Sequence, residues 1–320
     1  MPDPNGCLVW SAAAACPSAQ AWRAMPSPTT ALLRAVWAAS PRDAWAVGAD
    51  VLRWDGVAWT RITDPQLAGN RFAGDEWYSA WGVGAEVWLG GYNRLARFDG
   101  KAWTIIDPLP QSLSCPYGGL WGSKSDDLWA GCGTAGYGKV ARWNGRMWAA
   151  TAIDYPITSV QGLWGLAGDE LWLAGGCDAC GKAGEIRRWD GTAWRLVDYG
   201  TFSWPAFSGM WAAGRGDVWF VRPGFLHWDG QAWKRYPSLG GDEKGIWGRA
   251  SNDVFVVGSG GLTAHWNGAE CAAPGQGHSP RPLRRRRHLR RRVGRGRPGD
   301  DPALRAVAVN SPAGLPERGL

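Results

Sequence analysis

The heptapeptide Arg53-Trp54-Asp55-Gly56-Val57-Ala58-Trp59, RWDGVAW, recurs along this 320-residue chain. It returns as RFDGKAW (97–103), RWNGRMW (142–148), RWDGTAW (188–194), HWDGQAW (227–233) and, degraded, HWNGAEC (265–271). An Asp-Gly or Asn-Gly pair between two aromatics supplies the positive φ of a tight hairpin. Each copy therefore reads as two short antiparallel strands joined directly.

Working outward, each copy is the second half of a longer unit with four aromatic slots. The first slots are Trp37, Trp81, Trp121, Trp164, Trp211 and Trp247, spaced 44, 40, 43, 47 and 36 residues apart. The second are Trp45, Trp88, Trp129, Trp172, Trp219 and Phe255. The third are Trp54, Phe98, Trp143, Trp189, Trp228 and Trp266, and the fourth Trp59, Trp103, Trp148, Trp194, Trp233 and Cys271. Of these 24 positions 21 are Trp, so the repeat is specified far above chance usage. An acid stands two residues before each second slot: Asp43, Glu86, Asp127, Glu170, Asp217 and Asp253. A base precedes each third slot: Arg53, Arg97, Arg142, Arg188, His227 and His265.

The segments around the slots are short, β-branched and aromatic, with Gly and Asp at the joints, and no run has helical period. Four short antiparallel strands in about 40 residues, repeated six times, predict an all-β chain folded as a β-propeller. Six four-stranded blades are expected over 31–271. Residues 1–30 are expected to give outer strands of a partial seventh blade. Trp22 precedes Trp37 by 15 residues, within the 14–22 residue gap from fourth slot to next first slot, and Leu8-Val9-Trp10 reads as a third strand.

Gly90-Gly91 and Gly175-Gly176, each followed further along by an aromatic-x-x-x-x-Trp element, are similar to kelch repeats, and the Asp-Gly-x-x-Trp turn resembles a shortened Asp-box. Over roughly 8–271 the pattern resembles the Trp-rich propeller repeats of secreted bacterial proteins. The resemblance implies the propeller and no particular activity.

The net charge of +7 belongs to one segment. Residues 271–320 carry twelve Arg against three acids, +9, which leaves 1–270 at −2. No nucleic-acid partner is expected for the body. The tail at 272–320 is Arg-rich, of low complexity and expected to be disordered. Two readings stay open for it: a basic arm, or a shifted reading frame beginning where Cys271 replaces a Trp. The match of 303–312 (ALRAVAVNSP) to 32–41 (LLRAVWAASP) sits within it. No run approaches the 18 or so apolar residues of a membrane span. The N-terminus has no cationic region, and its apolar stretch is broken by Cys16 and Pro17, unlike a secretory leader.

Six-fold recurrence points to packing, because a catalytic group is needed once. The charged slots follow the same logic, as carboxylates at turns and ion pairs between strands. Two of the four His occupy them and two lie in the tail, which leaves none as a catalytic base or metal ligand. No catalytic residue, cofactor or metal is assigned.

Function is expected where the repeat varies. The connections from second to third and from fourth to next first strand vary and emerge on one face. They hold all seven Tyr and the two Trp of the six full units that fit no slot: Trp77, Tyr78, Tyr92, Tyr117, Tyr137, Tyr155, Tyr199, Trp204 and Tyr236. Amphipathic aromatics gathered on one rim suit ligand binding; packing of their own loops is the competing role. Cys7 with Cys16, Cys115 with Cys132 and Cys177 with Cys180 form three local pairs, the disulfide candidates that fit a secreted, periplasmic or cell-surface protein. The expectation is a non-enzymatic binding or scaffold propeller recognising a glycan or protein. The alternative is a polysaccharide hydrolase or lyase using rim acids such as Asp75, Glu76 or Asp178.

Overall fold

The computed structural model describes residues 25–67, 76–106, 116–134, 137–151, 159–177, 182–200, 206–268, 271–272 and 308–309. The segment containing Trp10 and Trp22 and the Arg-rich stretch of the tail lie outside them. Apart from one 3-10 turn at Ser259–Gly261, the described elements are all strands.

Six blades of four consecutive strands follow one another along the chain, as the propeller reading expects, the first gaining a fifth strand from the C-terminal region. Blade 1 comprises β1 (Leu33–Ser40), β2 (Asp43–Gly48), β3 (Val51–Trp54) and β4 (Trp59–Arg61). Blade 2 comprises β5 (Trp77–Val83), β6 (Glu86–Gly91), β7 (Leu95–Phe98) and β8 (Trp103–Ile106). Blade 3 comprises β9 (Gly119–Lys124), β10 (Asp127–Thr134), β11 (Tyr137–Trp143) and β12 (Trp148–Thr151). Blade 4 comprises β13 (Val160–Ala167), β14 (Glu170–Cys177), β15 (Lys182–Trp189) and β16 (Trp194–Leu196). Blade 5 comprises β17 (Gly209–Gly214), β18 (Asp217–Arg222), β19 (Gly224–Trp228) and β20 (Trp233–Tyr236). Blade 6 comprises β21 (Glu243–Ala250), β22 (Asp253–Gly258), β23 (Thr263–Trp266) and the two-residue β24 (Cys271–Ala272). A further short strand, β25 (Ala308–Val309), pairs parallel with β1 and also packs against β21.

The slots fall at fixed registers. First and second slots face each other across the first hairpin, Trp37 opposite Trp45 and so on to Trp247 opposite Phe255. Third and fourth slots face each other next to the turn, Trp54 opposite Trp59 through to Trp266 opposite Cys271. The base before the third slot lies opposite the second-slot aromatic, so it shares that ring's side of the sheet and the third slot takes the other.

This alternation builds the contact between blades. The second-slot ring of one blade is clasped by the third and fourth slots of the next: Trp45 by Phe98 and Trp103, Trp88 by Trp143 and Trp148, Trp129 by Trp189 and Trp194. The fourth-slot ring meets it edge-on, at 79–87° and 5.6–5.8 Å. Such pairs add roughly 0.5–1.5 kcal/mol to the burial of the rings themselves. First slots also need space beside them, although Trp81 packs against Trp121 and Trp164 as well. A Cβ built on Gly82 would come within 2.1 Å of the Trp37 ring, and one on Gly165 within 2.6 Å of Trp121. Glycine after the first slot lets the indole of one blade lie flat against the next backbone.

The charged slots complete the second-slot ring. Arg53, Arg97, Arg142 and Arg188 lay their guanidinium groups 5.0–5.6 Å from the centres of Trp45, Trp88, Trp129 and Trp172. Each is held by the acid of its own blade, as in Arg53–Asp43 (3.1 Å), Arg142–Asp127 (2.8 Å) and Arg188–Glu170 (3.0 Å). In blade 5 the imidazole of His227 stacks on Trp219 at 3.9 Å with its Nε2 2.6 Å from Asp217. Blade 6 repeats this with His265, Phe255 and Asp253. Burial pushes the Asp217 carboxyl up, but hydrogen bonds from His227, Ser251 and Trp219 outweigh it and hold the group below the ordinary aspartate range.

Candidate functional site

The two-to-three and four-to-one connections leave the blades at one end, because first and third strands run antiparallel to second and fourth. The opposite end is made from the repeat itself. There Asp55, Asp99, Asn144, Asp190 and Asp229 accept the backbone N–H groups two and three residues on, fixing five near-identical turns. Variation is confined to the first end, which is the candidate face.

The aromatic residues of that face divide by burial. Trp77 is 2% exposed, and the guanidinium of Arg94 lies 4.5 Å from its ring. Tyr117, 2% exposed, has its carbonyl bonded by the Ser79 hydroxyl at 2.7 Å, which ties the entry of blade 3 to blade 2. Tyr236, 7% exposed, stacks on Trp219 at 5.4 Å and sits 5.8 Å from Trp266. These three are part of the core and seat their own loops. Tyr92, 39% exposed, sits where its backbone bridges Pro116. Tyr78 is half-buried with Arg34 5.0 Å from its ring centre, and Arg34 also pairs with Glu76. Tyr199 is half-buried, donates its hydroxyl to the Gly184 carbonyl, and packs between Phe207 and Trp233. Burial is the main cause that pushes its phenol upward, against the opposing charge of Arg222. The side chain of Tyr137, and Tyr155, Trp204, Asp75 and Asp178, lie outside the described residues, so the face is described through blades 1, 2 and 5 chiefly.

The structure adds residues to this face that the sequence reading did not single out. Arg94 and Arg222 are nearly buried at strand ends beside the connections. Glu243 is wholly buried at the start of β21 and gathers the loop before it, accepting the Leu239 amide at 2.6 Å, the Ser238 hydroxyl at 2.9 Å and the Gly224 amide of blade 5 at 3.1 Å. Four residues before the first slots stand Leu33, Trp77, Tyr117, Val160, Phe207 and Glu243. A spacing count from the first slot, without regard to residue type, would have exposed that fifth register. Cys132 on β10 is buried and disulfide-bonded; Cys7, Cys16, Cys115, Cys180 and the side chain of Cys177 lie outside the described residues.

No family model matches the chain, and no curated protein matches it in sequence. Solved structures do. YCF48 bound to a D1 peptide superposes with TM-score 0.61 at 17% identity, over 83% of this chain and 86% of that one. YCF48 from Cyanidioschyzon merolae gives 0.60 at 16% identity, over 79% and 88%. A streptogramin B lyase gives 0.54 at 12% identity, over 75% and 91%. The fold is a β-propeller. At these identities the likeness extends to architecture, and the propellers in question include both a peptide binder and an enzyme. Among the described residues no helix is long and apolar enough to cross a membrane.

Proposed function

We propose that this propeller is a non-enzymatic binding module that engages a peptide segment of a protein partner through its variable face. The observation that carries the reading is the division between the two ends: five superposable turns at one, and unlike connections bearing exposed Tyr92 with half-buried Tyr78 and Tyr199 at the other. Side chains with an apolar body and a polar tip suit contact with an extended peptide, whose backbone needs hydrogen-bond partners and whose side chains need apolar surface. Arg34, Glu76 and Lys244 at the same end supply charge of both signs for orientation. YCF48 bound to a D1 peptide provides a propeller precedent for this kind of ligand. A glycan is the second ligand class to be tested. We further propose an extracytoplasmic location, with Cys115 as the partner of Cys132, since a disulfide tying a loop persists in oxidising compartments.

The test is a binding screen against peptide and glycan arrays, followed by calorimetry with the best peptide. Tyr92→Ala is expected to weaken peptide binding at least tenfold while leaving Tm unchanged. Saccharide turnover abolished by Glu76→Gln would overturn the reading, as would peptide binding lost through Lys124→Glu on the opposite end and indifferent to Tyr92.

A further inference from the structure

The first strands stand side by side around the axis of the propeller, β1 against β5, β5 against β9 and on to β17 against β21. In blades 1, 2, 4 and 6 the entry end of that strand carries one residue more than the second strand opposite it. Leu33 and Ala35 pair with the consecutive Gly48 and Val47, which makes Arg34 the extra residue. The same count singles out Tyr78, Gln161 and Lys244. All four stand three residues before the first slot, so the bulge recurs at one register. In blades 3 and 5 that register holds Gly118 and Ser208.

A bulge turns its extra residue out of the alternation of the strand. One position further on, Ala35, Ser79, Gly162 and Gly245 are buried, whereas Arg34, Gln161 and Lys244 are exposed and Tyr78 is half-buried. Strict alternation would put Arg34 on the side of β1 away from Trp37, whose ring lies against Gly82 of blade 2. Instead the Arg34 guanidinium reaches blade 2 as well, pairing with Glu76 and lying 5.0 Å from the centre of the Tyr78 ring. The bulged residues thus surround the mouth of the central channel on the variable face. The mouth is lopsided. Lys244, Arg34 and Tyr78 bring two cations and a phenol to blades 6, 1 and 2, while Gln161 stands in blade 4 between the small Gly118 and Ser208.

Both cations have a carboxylate beside them, Glu76 for Arg34 and Asp242 for Lys244 at 2.6 Å. These acids lie two residues upstream of the ring register, on the connections, so a ligand on the axis meets the cations first. Partly exposed pairs of this kind are worth little and exchange with a second carboxylate at small cost. Arg34 is held through Nε, and a guanidinium has further donors on its other edge.

On the peptide-binding reading given above, on which this rests, we propose that the channel mouth selects an acidic segment. Its carboxylate side chains replace Glu76 and Asp242 on Arg34 and Lys244, and the Gln161 amide, donor and acceptor at once, takes the peptide backbone. Arg34 and Lys244 flank β25, which pairs with β1 and packs against β21. Acids at i and i+2 share one face of an extended segment, so each cation meets one of them.

The test is an array of capped random-sequence decapeptides, read with the full chain and with two double variants, Arg34→Gln/Lys244→Gln and Arg34→Glu/Lys244→Glu. The altered side chains are exposed, so Tm should stay close to that of the unaltered chain. The unaltered chain is expected to select Asp and Glu at alternate positions, and to bind the best peptide roughly tenfold more weakly once its acids are replaced by Gln and Asn. The Gln variant should be indifferent to that replacement. The Glu variant should invert the selection toward Lys and Arg, which loss of structure would not do; where repulsion from Glu76 and Asp242 lowers its Tm, the Gln variant decides. Peptides bound with no preference for acids, or an acid preference that both variants retain, would overturn the proposal and leave the peptide-binding reading standing. No peptide bound by any of the three proteins would sink both.

Discussion

Trp129 gives the sharpest test of how the ring holds together. Its side chain is fully enclosed, with Trp189 at 5.0 Å and Trp194 at 5.8 Å from the next blade and the Arg142 guanidinium at 5.0 Å on its own. Its indole N–H finds no acceptor among the described residues, so its removal loses packing and no hydrogen bond. Trp129→Ala opens a cavity between two sheets that cannot collapse, because both walls are hydrogen-bonded blades. The cost for a buried aromatic is about 3–5 kcal/mol. For a domain of this size about 2–4 °C of Tm accompanies each kcal/mol, giving a fall of roughly 6–20 °C. Trp129→Phe should cost much less, since Phe255 occupies the same slot in blade 6. Calorimetry and denaturant titration read both, beside Tyr92→Ala, for which almost no shift is expected. Equal shifts for Trp129→Ala and Tyr92→Ala would refute the separation of slots from rim.

Three further outcomes follow from named contacts. Gly82→Ala should destabilise by about 1–3 kcal/mol or more, because the new methyl would meet three atoms of the rigid Trp37 ring at 2.1–2.6 Å. Gly84→Ala, at φ 61° with open space around it, should cost only the backbone strain of about 1–2 kcal/mol. For pH, Asp55 and Asp99 are held below the ordinary aspartate range, chiefly by the amides of Ala58 and Ala102. Their folded pKa values are depressed, so their contribution is complete above the unfolded value near 3.8 and is lost as pH falls through the folded values. Asn144 makes the same turn without a charge, at 3.0 Å to both amides. Asp55→Asn with Asp99→Asn should therefore flatten the acid limb of a stability profile while leaving the neutral-pH Tm nearly unchanged. Lastly, Cys271→Trp restores the fourth slot of blade 6 opposite Trp266 and should raise Tm by giving Trp219 the edge-on partner that Trp45 has in Trp103. An unchanged or lower Tm would show that blade 6 lacks room for it.

The blades were legible in the sequence because each one spends a rare residue at four fixed registers. Trp54 and Trp59 sit at the two ends of one cross-strand pair, so a five-residue spacing with Asp-Gly between them leaves few alternatives to a hairpin. The acid and base slots were legible as pairs, but the stack was not: nothing in RWDG says that Arg53 lies over Trp45 on the neighbouring strand. The rim was read least well. Trp77 and Tyr117 lie off the Trp slots, which made them look like surface residues, yet they occupy a register shared with Val160, Phe207 and Glu243 and filled by unlike side chains. A packing position that accepts Leu, Trp, Tyr, Val, Phe or Glu is invisible to a search for repeated letters.

That tolerance also shows where the ring is weakest. Blades 1 to 4 carry Arg over Trp, a planar cation that stays charged at any relevant pH and is held by a carboxylate at its edge. Blades 5 and 6 replace it with His227 and His265, which reach the same carboxylate through one nitrogen and leave Nδ1 of His227 buried with no hydrogen-bond partner among the described residues. Blade 6 further replaces Trp with Phe255 and Cys271 and exchanges an apolar entry residue for Glu243. Departures from the repeat thus gather in blades 5 and 6, beside the place where β25 packs between β1 and β21, with Phe98 of blade 2 the earlier exception among the slots.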